Sequence, residues 1–402
     1  MKEDDPPLPP LNKGGGRVPV LSPEGKPLMP TKASRARRWL KEGKAKVCDS
    51  DLGVFCVQLL QEPSGEETQE IAVGIDSGKL FSGIGVVSTK ATLFKAHLQL
   101  PFKSVIQKMT TRRMLRRGRR GRRINRKLPF EQRCHRQKRF NNRRNAKLPP
   151  SIRANRELEL RVVKELATIY PISRIVYEIV KADVDLTSGR QSAKSGKGFS
   201  PVMVGQKIMV QWLNEIAPVM TKEGWETSIL RKHLGLAKDK TDKSKVSPET
   251  HANDGLALAC YAFVEYKNFI DPVRKIRGGK WYGSVQLTNY PLAVIARPKL
   301  YRRQLHFENP NSKKPNPNQY RKRKGGTITP YGFRSGDYVE AVKGKKTYQG
   351  WIGGYSEANK VVSLYDLNWR RIGQFSVSKT RLIKRSTRLL VEYKHCGDSS
   401  VA

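Results

Sequence analysis

The 402-residue chain is poor in cysteine, and the five it has, Cys48, Cys56, Cys134, Cys260 and Cys396, stand far apart with no Cys-x-x-Cys pair. A zinc ribbon or finger closes its tetrahedron with thiolates about two to four residues apart, so the spacing argues against a four-cysteine structural zinc site. Reduced, mostly buried thiols are expected instead. Long apolar runs are missing as well. Stretches such as Ile71 to Ile75 fall far short of the roughly 20 residues that a bilayer-spanning helix needs, and the first thirty residues lack the apolar core of a signal peptide. The expectation is a soluble intracellular protein. Acids are the third shortage: 35 Asp and Glu face 78 Lys and Arg, a formal net charge of +43. A chain so charged repels itself unless an anion neutralises it, and a polyphosphate backbone is the partner that fits.

What is abundant is arginine, and it is concentrated. Residues 112 to 144 hold sixteen Arg or Lys against one acid, Glu131. The candidate nucleic-acid-binding residues are Arg112, Arg113, Arg116, Arg117, Arg119, Arg120, Arg122, Arg123 and Arg126. Met114, Leu115, Ile124 and Leu128 punctuate the tract at helix-like spacing, which a solvated basic tail would not need.

Residues 1–16, rich in proline and glycine, have no apolar periodicity and are expected to be disordered. Val18-Pro19-Val20-Leu21 predicts a strand, Ser22 to Gly25 a turn, and Lys32 to Glu42 a helix ended by Gly43, with Val47 to Leu60 as further strand. That is a small ββ/α module over residues 17–65, too small to carry catalysis alone. Ile71 to Asp76 then has the continuous apolar character of a buried central strand and ends on a carboxylate. Phe81 to Ser88 and Ala91 to Leu98 complete an antiparallel meander. Leu158, Val162, Leu166 and Ile169 mark a helix, Arg174 to Glu178 a strand, Ile208 to Ile216 a helix, and Glu226 to Leu230 a strand. Ser247-Pro248 opens a helix carrying His251, Asp254, Leu258 and Tyr261. Three strands, helix, strand, helix, strand, helix is the order of the RNase H fold. From Trp281 on the pattern changes, through a Pro/Asn/Lys linker at Asn311 to Gly326, to short close-spaced strands that predict a small β-barrel.

In such a fold Asp76 and Glu178 end adjacent strands, and the first turns of the last helix bring Asp254 across them. Three acids so close repel unless they share divalent cations. Two Mg²⁺ ions about 3.5–4 Å apart, with Mn²⁺ as a substitute, would serve phosphodiester hydrolysis. His251, three residues before Asp254, shares its helical face and could deprotonate or order the attacking water. Taken singly, a strand-end Asp or a lone His is more often structural; the weight lies in the order of all four. Gly74 to Leu80 does not meet the phosphate-loop pattern, and its glycines read as opening the strand for close approach of metal and DNA.

Three segments, Val73-Gly74-Ile75-Asp76-Ser77-Gly78, Ile175-Val176-Tyr177-Glu178 and His251-Ala252-Asn253-Asp254-Gly255, resemble the split motifs of the RuvC nuclease domain in RNA-guided effectors. The arginine tract resembles their bridge helix, and Val18 to Leu21 with Pro27-Leu28-Met29-Pro30 resembles the PLMP domain of IscB-type proteins. IscB carries an HNH nuclease between its second and third RuvC motifs. Here the interval from Lys181 to Thr250 holds one histidine, His233, and no room for that domain, so the resemblance is to the HNH-lacking IsrB family.

The resemblance implies an α/β chain: an RNase H-like core at 66–110, 151–187 and 188–270, split by a bridge helix at 111–150, with a PLMP domain at 17–65 and a barrel-like domain at 271–402 that contacts the target. It implies an omega RNA partner, a double-stranded DNA target with a short flanking motif, nicking of the displaced strand, and a monomeric protein in a prokaryotic, nucleoid-associated ribonucleoprotein. Tyr338, Tyr348, Trp351, Tyr355 and Trp369 are candidate readers of the flank, or barrel core. The alternative is an RNA-independent, structure-specific endonuclease of junction-resolvase type, for which the arginine tract and extra modules would go unexplained. A non-catalytic RNA chaperone would leave the four site residues without a role. TnpB-type nucleases differ in a paired-cysteine zinc element that is absent here.

Overall fold

A computed structural model describes residues 16–123, 125–132, 148–180, 201–238, 247–270, 277–298 and 328–394. Residues 1–15, the Gly/Ser/Lys loop Ser188 to Gly198 and the Pro/Asn/Lys linker fall outside these residues, as does the tract beyond Gln132. The chain forms two compact units: one takes Phe55–Tyr290 with the chain up to Cys48, the other Pro291 onward with Asp49–Val54.

The first unit opens with β1 (Arg17–Leu21) and β2 (Pro27–Lys32), paired antiparallel across a turn in which Gly25 takes φ +87°. Helix α1 (Ala33–Lys41) follows and stops, as expected, at a left-handed Gly43. The stretch expected as one strand from Val47 to Leu60 is two, β3 (Ala45–Asp49) and β4 (Phe55–Leu59), because Gly53 at φ +69° turns the chain between them. The sheet order is β2-β1-β4-β3, over a core of Val18, Val20, Leu28, Ala36 and Val57. Cys48 and Cys56 are neighbours on β3 and β4 with Cα atoms 5.3 Å apart, a spacing that a disulfide can span. Cys260 is free and buried.

The main sheet begins with the expected meander, β5 (Ile71–Ser77), β6 (Phe81–Ser88) and β7 (Ala91–Gln99). Helix α2 (Phe102–Arg123) then carries the arginine tract; it starts nine residues before the expected boundary. Helix α3 (Pro150–Ile169) buries Leu158, Val162, Leu166 and Ile169, and leads to β8 (Arg174–Ile179), parallel to β5. Helix α4 (Pro201–Asn214) leads to β9 (Val219–Glu223), parallel to β8. The resulting order β7-β6-β5-β8-β9 is consistent with an RNase H-like fold. Glu226 to Leu230 is not a strand but part of helix α5 (Gly224–His233). A capping box decides it: the Glu223 side chain accepts from the backbone of Glu226, whose own carboxylate accepts from the Glu223 N–H at 2.7 Å.

Helix α6 (Pro248–Cys260) crosses the sheet, and its depth is set by glycine. A Cβ on Gly83 would stand 1.7 Å from the His251 carbonyl oxygen, one on Gly74 2.1 Å from that of Gly255, and one on Gly85 2.6 Å from Leu256 Cα. Of the two glycines expected to admit metal and DNA, Gly74 therefore admits this helix instead, and Gly78 lies against the Phe81 backbone. A hairpin of β10 (Val264–Ile270) and β11 (Arg277–Gly283) closes the unit.

In the second unit β12 (Leu292–Ala296) pairs with the final β18 (Leu390–Lys394). Between them β13 (Tyr338–Lys343), β14 (Lys346–Ser356), β15 (Val361–Tyr365), β16 (Arg371–Ser376) and β17 (Thr380–Lys384) form an antiparallel sheet ordered β16-β15-β14-β13-β17. Val339, Ile352, Tyr355, Leu364 and Phe375 form its core with Tyr348 packed against it, so two of the candidate flank readers are packing residues; Trp351 is buried outside that cluster.

If the glycine floor sets the helix depth, Gly83→Ala should destabilise the first unit by about 3 kcal/mol, because the new methyl meets backbone that cannot swing away. Gly118→Ala, with nothing within 4 Å in the exposed α2, should stabilise by roughly 0.5–1 kcal/mol. Urea unfolding of both variants measures the contrast; a neutral Gly83→Ala would contradict the packing.

Candidate active site

Parallel pairing of β5 with β8 puts Ile75 beside Tyr177, and so sets Asp76 and Glu178 at the same level of neighbouring strands. Across β5, Asp76 faces Gly83, the residue over which the His251 backbone rests. One cavity of about 360 Å³ is lined by all four residues singled out from the sequence, Asp76, Glu178, His251 and Asp254, along with Thr227, Arg231 and Lys238.

Those last three were not foreseen. Thr227 Oγ1 donates to Glu178 Oε2 at 2.6 Å. The buried Arg231 guanidinium pairs with Asp254 Oδ1, and Lys238 Nζ lies 3.4 Å from Asp254 Oδ2. Gly224, at the start of the same helix, allows the approach: a Cβ there would be 3.1 Å from Glu178 Oε1. His251 sits in a ring cluster, with the Phe81 centroid at 5.4 Å and that of the fully buried His97 at 5.0 Å.

Behind the cavity a buried polar network fixes the loop that follows Asp76. Arg156 and Glu159 of α3, both essentially without solvent contact, pair at 2.6 Å. Arg156 also donates to Tyr177 Oη at 2.9 Å and to the Gly78 carbonyl at 3.0 Å. Asn155 donates to the Lys79 carbonyl at 2.9 Å, while Ser77 and Ser82 both donate to Glu159 Oε1. Removing either Arg156 or Glu159 leaves the other's charge buried and uncompensated, which typically costs about 3–5 kcal/mol.

The arginine tract divides. Arg112, Arg113, Arg116, Arg117 and Arg119 are exposed along α2, as are Met114 and Leu115, and Arg126 is exposed beyond it. Arg120, Arg122 and Arg123 continue the helix, with side chains outside the described residues.

Residues 18–198 match the family described as RRXRR protein. The match covers a little under half of the chain and includes Asp76, Glu178 and the arginine tract, in which residues 116–123 spell that pattern twice. No curated protein matches the sequence. Among solved structures the chain is similar to RuvC of T. thermophilus in complex with Holliday junction substrate, at 12% identity and a TM-score of 0.24, over 48% of this chain and 90% of that one.

Charge is the dominant feature of the cavity. Burial first, then the Glu178 and Asp254 carboxylates, pushes the Asp76 carboxyl well above its ordinary range. Burial also raises Glu178, against the hydrogen bond from Thr227 that pulls it down. Burial holds His251 below the ordinary imidazole range, so it is neutral at pH 7. Among the described residues no three His, Cys, Asp or Glu side chains stand close enough to hold one ion as they lie. Arg231 and Lys238 engage the Asp254 oxygens, and Thr227 engages Glu178. The donor set still fits a hard divalent cation: three carboxylates around one cavity, with their mutual repulsion carried by Asp76.

A raised native pKa has a definite sign. Asp76 favours the folded state fully below its unfolded pKa, and that contribution is lost as pH rises through the native value. In EDTA, the melting temperature of wild type relative to Asp76→Asn should therefore fall as pH increases from about 4, and Mg²⁺ should raise it for wild type alone. Parallel melting profiles for the two proteins would contradict the assignment.

Proposed function

We propose that the chain is an RNA-guided DNA nickase of IsrB type, with Asp76, Glu178, His251 and Asp254 as its single hydrolytic site. The observation that carries the reading is the convergence of these four residues on one cavity, in the same unit as an exposed arginine helix. The RRXRR match over the stretch that includes two of the acids and the tract supports it.

Divalent ions held by Asp76, Glu178 and Asp254 would supply the positive charge that a scissile phosphate needs and make bound water acidic. The chain's own groups do the rest. His251, kept neutral by burial and with Nδ1 buried, takes the water's proton at Nε2. Phe81 and His97 hold its ring in place. Arg231 and Lys238 neutralise Asp254, and with it part of the repulsion that an incoming phosphodiester would meet. The exposed α2 arginines bind the guide's phosphates, so base pairing and not side chains reads the target. The chain acts in the cytoplasm as a monomer within its ribonucleoprotein. Among the described residues no helix is long and apolar enough to cross a membrane.

A supercoiled plasmid with a matched target, protein, copurified RNA and Mg²⁺ should become an open circle and stop there. Linear product at early times, or label released from the guide-paired strand, would contradict a single site on the displaced strand. Cleavage that survives RNase treatment of the complex would favour the RNA-independent endonuclease. Asp76→Ala, Glu178→Ala or Asp254→Ala should abolish nicking and keep target binding, while His251→Ala should slow it roughly 10²–10⁴-fold. Replacing Arg116 with Arg117, or Arg119 with Arg120, by alanine should weaken RNA binding and flatten its dependence on salt; an unchanged salt slope would remove the tract from the RNA interface.

A further inference from the structure

The C-terminal end of α5 turns the chain back toward the carboxylates. Gly235, at φ +66°, takes the left-handed position just beyond the helix. Its N–H donates to the Lys232 carbonyl at 3.1 Å, and the Leu236 N–H reaches back to the Arg231 carbonyl at 3.0 Å. These two bonds form a Schellman motif, and Leu236 packs against the cluster that contains Leu230, which is the hydrophobic contact such a motif favours. The chain is then pinned from α6, where Asn253 Nδ2 donates to the Ala237 carbonyl at 3.0 Å. Lys238 comes next. A capped helix end and one side-chain bond thus deliver its ammonium to the cavity, 3.4 Å from Asp254 Oδ2.

The two cations on Asp254 differ in kind. The Arg231 side chain is 4% exposed and also donates to Ser228 Oγ at 3.4 Å, so turning it away would strand a guanidinium in the interior. The Lys238 side chain is 39% exposed, and among the described residues its ion-pair partner is Asp254. Its flexible stem can carry the ammonium into water at little cost. The charge nevertheless reaches the whole site. It opposes the upward displacement of the Asp76 and Glu178 carboxyls, and it helps keep His251 neutral. A divalent ion in the same cavity of about 360 Å³ would act on the same groups with the same sign. Like charges that close repel, so the ammonium and an ion oppose each other there.

We propose that Lys238 is a tethered competitor of the divalent ions: its ammonium takes the place of one of them at Asp254 and leaves when Asp254 becomes a ligand. This step rests on the reading of Asp76, Glu178 and Asp254 as ion ligands and deepens it. It accounts for the way these acids lie, with Asp254 Oδ1 engaged by Arg231 and Oδ2 by Lys238, so that among the described residues no three ligands stand ready around one ion. Linkage makes the competition measurable: whatever the Lys238–Asp254 contact contributes to the resting site is subtracted from the affinity for ions. An ion pair that only held the fold together would leave that affinity unchanged.

The test compares the full-length protein with Lys238→Met, which keeps most of the stem and removes the charge, and uses Mn²⁺ as the probe without nucleic acid. Titration calorimetry should show the variant binding Mn²⁺ about tenfold more tightly, since one like charge has been removed from a partly exposed site. At equal Mn²⁺ concentration, the rise in melting temperature over EDTA should also be larger in the variant than in wild type. Equal or weaker Mn²⁺ affinity in the variant, or an equal or smaller rise, would overturn the proposal. Asp254→Asn separates it from the reading beneath it. If Asp254→Asn binds Mn²⁺ as wild type does, the carboxylates are not the ion site and both fall. If Asp254→Asn loses binding while Lys238→Met matches wild type, only the role of Lys238 falls.

Discussion

The rest of the structure depends on how deeply α6 sits in the sheet. A helix normally packs on a sheet through side chains that keep the two backbones well apart. Here Gly74, Gly83 and Gly85 on the strands meet Gly255 and its neighbours on the helix, so backbone rests on backbone. That depth is what lets Asp254 and His251, on a helix, reach acids that end strands. Any Cβ at Gly83 would lift the helix at His251 itself, so the geometry of the site and the stability of the core are set by the same contacts.

The second constraint is electrostatic. Three carboxylates converge on one cavity, and two cations answer them: Arg231 and Lys238 pair with Asp254, and both also act on Glu178, Lys238 on Asp76 as well. The remaining imbalance falls on Asp76, whose carboxyl is driven toward its neutral form. In the proposed reading, divalent ions held by the three acids would relieve the repulsion that protonation of Asp76 otherwise relieves. Strongly perturbed carboxyl groups in a cleft cluster at functional sites. The Arg156–Glu159 network plays the complementary part. It holds the loop beside Asp76 rigid with charges already paired, so those charges do not compete for the ligand.

Much of this was legible in the sequence because it rests on local pattern. The run Ile71 to Asp76 is apolar on both faces and ends on an acid, and only a buried central strand reads so; the same holds for Arg174 to Glu178. The helix of His251 and Asp254 announced itself by Ser247-Pro248. What escaped depends on distant partners or on competing local signals. Thr227, Ser228, Ile229 and Leu230 resemble a strand by composition, yet the Glu223–Glu226 capping box makes them helix. Arg156 and Glu159, three apart on α3, look like a solvated surface pair and are buried. Arg231 and Lys238 carry no mark among 78 basic residues, and His97 none at all. The glycine doublet Gly83 and Gly85, alternating on one strand face, was a usable signal for close helix packing.

Spin-coupled EPR of Mn²⁺ added to the protein tests the central claim most directly, because it reads occupancy of the carboxylate cavity without activity or a guide. The account predicts a coupled two-ion signal in wild type that is absent from Asp254→Asn. A signal from isolated ions only, the same in both proteins, would contradict it.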